Sequence, residues 1–136
     1  MIREIVRDPM FLAQRSEPAA REDLPAVQDL LDTLRANRGR CVGMAANMIG
    51  VSRRIIAVSV GPVDRVMLNP RIIARSGPFA AQEGCLSLDG TRPATRYRSI
   101  ELEYRDSAFM LRRQRFSGFT AQIIQHEIDH CNGILI

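Results

Sequence analysis

The stretch "IIQHEIDHCNGILI", residues 123–136, decides how the rest of the chain is read. His126 and His130 stand four apart with Glu127 between them, an H-E-x-x-H pattern, and Gly133 follows as a stop signal. Ile123, Ile124 and Ile128 supply an apolar face at helical spacing, so the sequence predicts a helix over Phe119–Asn132. Residues four apart on a helix share one face with Cβ atoms about 5–6 Å apart, so two neutral imidazoles can reach one divalent cation. Glu127 is turned ~100° from His126 about the axis. Its carboxylate then lies beside the cation, where it can act as a general base toward a bound water. The chain has 2 histidines, and both fall in this pattern. That argues against incidental polar residues on a surface helix.

Two imidazoles need a third protein ligand. The residues after His130 are not expected to supply it: the extended H-E-x-x-H-x-x-G-x-x-H pattern would need a histidine where Ile136 stands. The ligand is therefore sought upstream, where Cys41 and Cys85 are soft enough to join two imidazoles, alongside many carboxylates. Cys131 points off the metal face and reads as packing. Cys85 sits in "QEGCLSLDG" (82–90), a polar, glycine-flanked turn between strand-like stretches that can present a thiolate from rigid backbone. The opposing reading of Cys85 is a small buried hydrophobe, the commonest fate of a free cysteine.

Working further outward, Asp23–Asn37 reads as a first helix, with Asp23 as N-cap, Pro25 in the first turn and Val27, Leu30, Leu31 and Leu34 on one face. Gly39 follows near its C-cap. "RRIIAVSV" (53–60) reads as a buried strand, and "VMLNPRIIARSG" (66–77) as two short strands interrupted by Asn69-Pro70. "SIELEYRD" (99–106) alternates Ile100, Leu102 and Tyr104 with charged residues, the period-2 mark of a half-buried strand, and 108–118 is its hairpin partner. The expected class is α+β, with short antiparallel β-sheets packed around the C-terminal helix.

Composition narrows the function classes. A length of 136 residues without repeats or linkers predicts one domain over 1–136. An apolar share of 46% and a charged share of 25% suit a globular chain. No apolar run approaches the ~20 residues needed to span a bilayer, and "MIREIVRDPMF" has no secretory h-region. No membrane association is expected, and a cytoplasmic location is. Three cysteines at irregular spacing do not make a disulfide framework. All 19 basic residues are arginines, the net charge is +4, and no aromatic-interleaved basic cluster occurs, so no specific nucleic-acid binding is expected.

Taken together, these segments resemble the peptide deformylase family, whose motifs run G-x-G-x-A-A-x-Q, E-G-C-x-S and H-E-x-D-H. The second is intact as Glu83-Gly84-Cys85-Leu86-Ser87 and the third as His126-Glu127-Ile128-Asp129-His130. "RDP" at 7–9, "LNP" at 68–70 and Arg96 also match in order, so the resemblance spans nearly the whole chain. It implies Cys85, His126 and His130 as metal ligands, with water in the open fourth position of a catalytic site. It implies Fe(II), whereas ligand chemistry alone favours Zn(II); Ni(II) or Co(II) can also load such a site in a purified sample. Glu127 would be the general base, and the backbone N–H of Leu86 would stabilise the oxyanion. Gly43, Met44, Asn47 and Arg96 would contact substrate. The implied reaction removes the N-formyl group from the initiator methionine of nascent chains or N-formylmethionyl peptides, with transient proximity to the ribosome.

The first motif departs. Residues 41–48 read Cys-Val-Gly-Met-Ala-Ala-Asn-Met, so Cys41 replaces the first glycine and Met48 the glutamine that donates to the scissile carbonyl in the family. A thioether cannot donate, and losing one such donor typically costs ~10²–10³ in rate. Asn47 is a donor one residue earlier. Family members also continue beyond "NGILI", so no ribosome-docking segment is carried over. Two alternatives therefore stay open: weak or altered N-acyl amidase activity, and a non-catalytic metal- or peptide-binding module.

Overall fold

A computed structural model describes all residues, 1–136. Five strands form one antiparallel sheet in chain order: β1 (Gly43–Ala45), β2 (Ile55–Val60), β3 (Val63–Cys85), β4 (Leu88–Arg105) and β5 (Leu111–Ser117). The helices are α1 (Pro9–Leu12), α2 (Leu24–Ala36) and α3 (Gly118–Cys131). This is the expected α+β class with the histidine-bearing helix at the end of the chain. No helix is long and apolar enough to cross a membrane.

Both faces of the sheet are covered, and β2 shows why. Successive strand side chains point to opposite faces. Ile56 and Val58 pack with Ile100, Leu102, Ile124 and Ile128 on the α3 side. Ile55 and Ala57 pack with Leu30, Leu34, Met44 and Met48 on the α2 side. A strand buried on both faces reads as a continuous apolar run. The sheet is thus held between α2 and α3.

The strands are longer than their sequence signals. "VMLNPRIIARSG" is not split in two; it lies within β3, and the register shifts between Leu68 and Arg71. Asn69 takes φ 53° there. Its side chain stands in for a ladder partner: Oδ1 accepts from the Ala19 N–H at 2.7 Å and Nδ2 donates to the Ala19 carbonyl at 3.0 Å. The dipeptide therefore makes a bulge instead of a chain reversal. Past it, β3 and β4 remain paired to their joining turn, where Cys85 faces Leu88. Asp23 stands at the N-cap of α2 as expected, but its carboxylate accepts from the Ala20 N–H at 2.8 Å and makes no side-chain cap to the helix.

Candidate metal centre and its cavity

Helix α3 sets the two imidazoles on one face, with His130 Nε2 and His126 Nε2 3.2 Å apart. The β3–β4 turn brings Cys85 to them, and one ligand atom from each of the three residues lies within 4.8 Å of the others. The Ser87 N–H donates to Cys85 Sγ at 3.4 Å and fixes the sulfur on its turn. His126 Nδ1 donates to Glu83 Oε1 at 2.8 Å, which orients Nε2 toward the sulfur and the second ring.

Glu83 is the hub behind the ligands. It is 8% exposed. Its oxygens accept from Arg96 Nε at 3.1 and 3.0 Å, from Arg96 Nη2 at 2.6 Å and from Gln122 Nε2 at 2.8 Å. Arg96 also donates from Nη1 to Asp129 Oδ2 at 2.7 Å. Burial works against the Glu83 charge, but His126, Arg96 and Gln122 outweigh it and hold the carboxyl down at about 2. A charged acceptor behind a ligating imidazole raises the ring's basicity.

The protonation pattern matches a cation-shaped gap. Burial opposes charge on His126, yet the Cys85 sulfur and Glu83 lift its pKa to about 10. Burial together with the His126 charge pushes His130 down to about 3. One proton thus sits where two nitrogen lone pairs and a sulfur converge. The set of one sulfur and two imidazoles fits a divalent transition metal, and it stops at three ligands, which is the open arrangement of catalytic sites.

A cavity of about 860 Å³ opens onto these groups, lined by Gly43, Met48, Cys85, Leu86, His126 and Glu127 among others. Glu127 is 4% exposed, and its Oε1 has no hydrogen-bond partner. Burial raises its pKa to about 7, a value suited to exchanging a proton near neutrality. Gly43 of β1 passes so close to α3 that a Cβ there would lie 2.7 Å from Ile123 Cγ2 and 2.9 Å from Glu127 Oε2. The Leu86 N–H, at the rim of the turn, donates to no protein group.

Three of the substrate-contact candidates are turned elsewhere. Met44 is fully buried in the α2-side core. Asn47 is 1% exposed, and its Nδ2 donates to the His130 carbonyl at 2.9 Å, so its donor serves a carbonyl at the end of α3. It therefore does not replace the glutamine missing at position 48, where Met48 lines the cavity. Arg96 is 4% exposed and bound to Glu83 and Asp129, which places it behind the ligands and not along the cavity. Cys131 is buried among apolar side chains, as its place on α3 suggested, and burial drives its thiol up to about 12.

Sequence reasoning left Gln122 and Arg7 without a role. Gln122 stands four residues before His126, so helical spacing alone puts it on the ligand face. Arg7 had no comparable signal: it reaches Leu86 across 79 residues of chain. Cys41, the other soft ligand candidate, lines the cavity but does not belong to the ligand cluster. Burial raises its thiol to about 11.

Comparison with known proteins agrees with this geometry. A family model described as polypeptide deformylase matches residues 2–136. A peptide deformylase of Clostridium beijerinckii is 52% identical over 136 residues, covering 100% of both chains. Among solved structures, a peptide deformylase from Legionella pneumophila superposes with a TM-score of 0.89 at 31% identity, covering 99% of this chain and 83% of that one. A class I type b peptide deformylase from Acinetobacter baumannii with Met-Ala-Ser bound gives 0.89 at 26% identity, covering 99% and 97%.

Proposed function

This chain belongs to the polypeptide deformylase family, and we propose that its cavity removes the formyl group from the N-terminal methionine of newly made polypeptides. The family assignment makes it a metal-dependent amide hydrolase. The observation that carries the reading is the convergence of Cys85, His126 and His130 beside Glu127 at the floor of one cavity. Cys85, His126 and His130 would hold the ion, and Fe(II) is the metal we propose for the cell, with Zn(II), Ni(II) or Co(II) able to load it in vitro. A bound divalent ion supplies Lewis acidity and lowers the pKa of attacking water.

The protein's own groups do the rest. Glu127, held near neutrality in its pKa and free at Oε1, takes the proton of the attacking water and passes it to the departing amine. The Leu86 N–H donates to the carbonyl oxygen as negative charge develops. Gly43, with no Cβ, lets β1 pack directly against Ile123 and Glu127 at the wall of the cavity. Glu83, Arg96 and Asp129 fix the ligands from behind. The absence of a fourth His, Cys or carboxylate in the cluster favours turnover over a closed binding module.

The substrate would be formyl-methionyl nascent chains in the cytoplasm, with transient proximity to the ribosome, processed by one domain spanning 1–136. Formate release from formyl-Met-Ala-Ser by iron-loaded protein tests the activity, with Glu127→Ala as the reference. A rate equal to that reference would remove the reading. Met48→Gln in parallel measures what the missing donor costs, and a gain of on the order of 10²-fold is expected if the new amide faces the cavity.

A further inference from the structure

We infer that Arg7 is a positioning residue for the reaction, fixing from outside the turn that carries the Leu86 N–H. Arg7 Nη1 donates to the Leu86 carbonyl at 2.9 Å, and Nη2 donates to Asp89 Oδ1 at 2.8 Å. One residue earlier, the Val6 N–H donates to the Met48 carbonyl at 2.8 Å. The segment at residues 6 and 7 therefore ties together the two walls that face substrate, the first-motif loop through Met48 and the Cys85–Leu88 turn through Leu86. Arg7 itself lines the cavity.

Apart from the Cys85–Leu88 ladder pair that closes it, the turn has few other restraints. Inside it, the Ser87 N–H is tied to the Cys85 sulfur at 3.4 Å. The Leu86 N–H has no protein partner, so its direction depends on how the Leu86 backbone is held on either side. Cys85 anchors one side through the ligand cluster, and Arg7 anchors the other through the Leu86 carbonyl. The contact matters more in this chain because position 48 offers no side-chain donor, which leaves the Leu86 N–H as the protein's own oxyanion contact. The inference rests on the deformylase reading of Leu86.

The two bonds of Arg7 are not equivalent. Asp89 is 97% exposed and Arg7 55% exposed, so their ion pair lies in water and contributes little. The bond to the Leu86 carbonyl is the one that restrains the turn.

The test uses full-length, metal-loaded protein and formyl-Met-Ala-Ser. Arg7→Ala is expected to lower kcat about tenfold, a fraction of the ~10²–10³ carried by a whole oxyanion donor, while KM stays within twofold and metal content is unchanged. Arg7→Lys, which keeps one donor for the carbonyl, recovers most of the loss. Asp89→Ala, which removes the ion pair alone, keeps at least half the parent rate. In the zinc-loaded protein, the Ser87 amide exchanges its hydrogen faster in Arg7→Ala than in the parent. The inference is overturned if Arg7→Ala turns over within twofold of the parent, if Asp89→Ala reproduces the Arg7→Ala loss, or if Ser87 exchange is unaltered. A parent protein that releases no formate sinks the deformylase reading, and the exchange measurement still judges Arg7 on its own.

Discussion

Glu83→Gln isolates charge from shape. The two side chains are isosteric, so the change opens no cavity and leaves one carbonyl oxygen for His126 Nδ1, now 2.8 Å from a carboxylate oxygen. It removes one of the two anions that face the buried Arg96 guanidinium; the other, Asp129, is 23% exposed on its side chain. Breaking a buried pair typically costs 3–5 kcal/mol, and the surviving Asp129 contact places this case at the low end, about 3 kcal/mol. For a chain of 136 residues, that corresponds to a fall in Tm of roughly 10 °C. The loss should also reach the metal, because a neutral amide supports the His126 ring less well than a carboxylate; affinity is expected to fall about 10–100-fold. Thermal unfolding followed by circular dichroism gives the first number, and chelator competition with Zn(II) gives the second. Gln122→Ala is the companion, since it removes a single neutral donor from the same carboxylate and should move metal affinity less than threefold. A Tm within about 3 °C of the parent together with unchanged zinc affinity would refute the view of Glu83 as the hub behind the ligands.

Three further outcomes follow from single contacts. Gly43→Ala drives a Cβ into Ile123 and Glu127; overpacking should cost about 1–3 kcal/mol, and displacement of the base should lower kcat by up to ~10²-fold, measured by denaturant unfolding and formate release. Metal affinity should tighten as pH rises from 6 to 8, because binding must displace the proton that Cys85 and Glu83 hold on His126; about tenfold per pH unit is expected for each proton released, and a flat chelator titration would contradict it. Asp64 does not line the cavity. Burial opposes its charge, but the Ser59 hydroxyl, Arg35 and Arg38 overcome that and hold its pKa below the ordinary 3.8. Its stabilisation is therefore present above that value and lost as pH falls through the lower, folded one. Asp64→Ala should cost about 1–3 kcal/mol at pH 7, with the gap to the parent closing in urea titrations as pH falls below 3.8.

The parts of this protein that could be read from its sequence were those whose cause is local. Spacing of four on a helix put both imidazoles on one face, and β-branched content marked β2, because periodicity is a property of neighbouring residues. The length of β3 was hidden for a different reason. Asn69-Pro70 reads as a turn unless Ala19, distant in sequence, is known to pair with the Asn69 side chain. Arg96 was similarly ambiguous: the family resemblance implied a peptide contact, and only the fold brings Glu83 and Asp129 to opposite ends of its guanidinium. Residues whose role depends on a partner dozens of positions away leave no periodic trace.

The first motif shows how such long-range contacts decide chemistry. Asn47 and Met48 are neighbours in a short helical turn, yet they serve different ends. Asn47 turns its amide to the His130 carbonyl, which also accepts from the Gly133 N–H at 3.0 Å, and so adds a second bond at the end of the helix that carries the two histidines. Met48 shares the α2-side core and also lines the cavity. A polar residue one place earlier therefore cannot serve the cavity without giving up its bond to the His130 carbonyl. Cys41 adds bulk where the family has glycine, and with its thiol raised to about 11 it remains a neutral group at pH 7. Neither departure places a donor at the scissile carbonyl. In the proposed reaction, hydrogen bonding to the oxyanion would then fall on the Leu86 N–H, and the accuracy of the Cys85–Leu88 turn would matter more in this chain than where a glutamine shares the task.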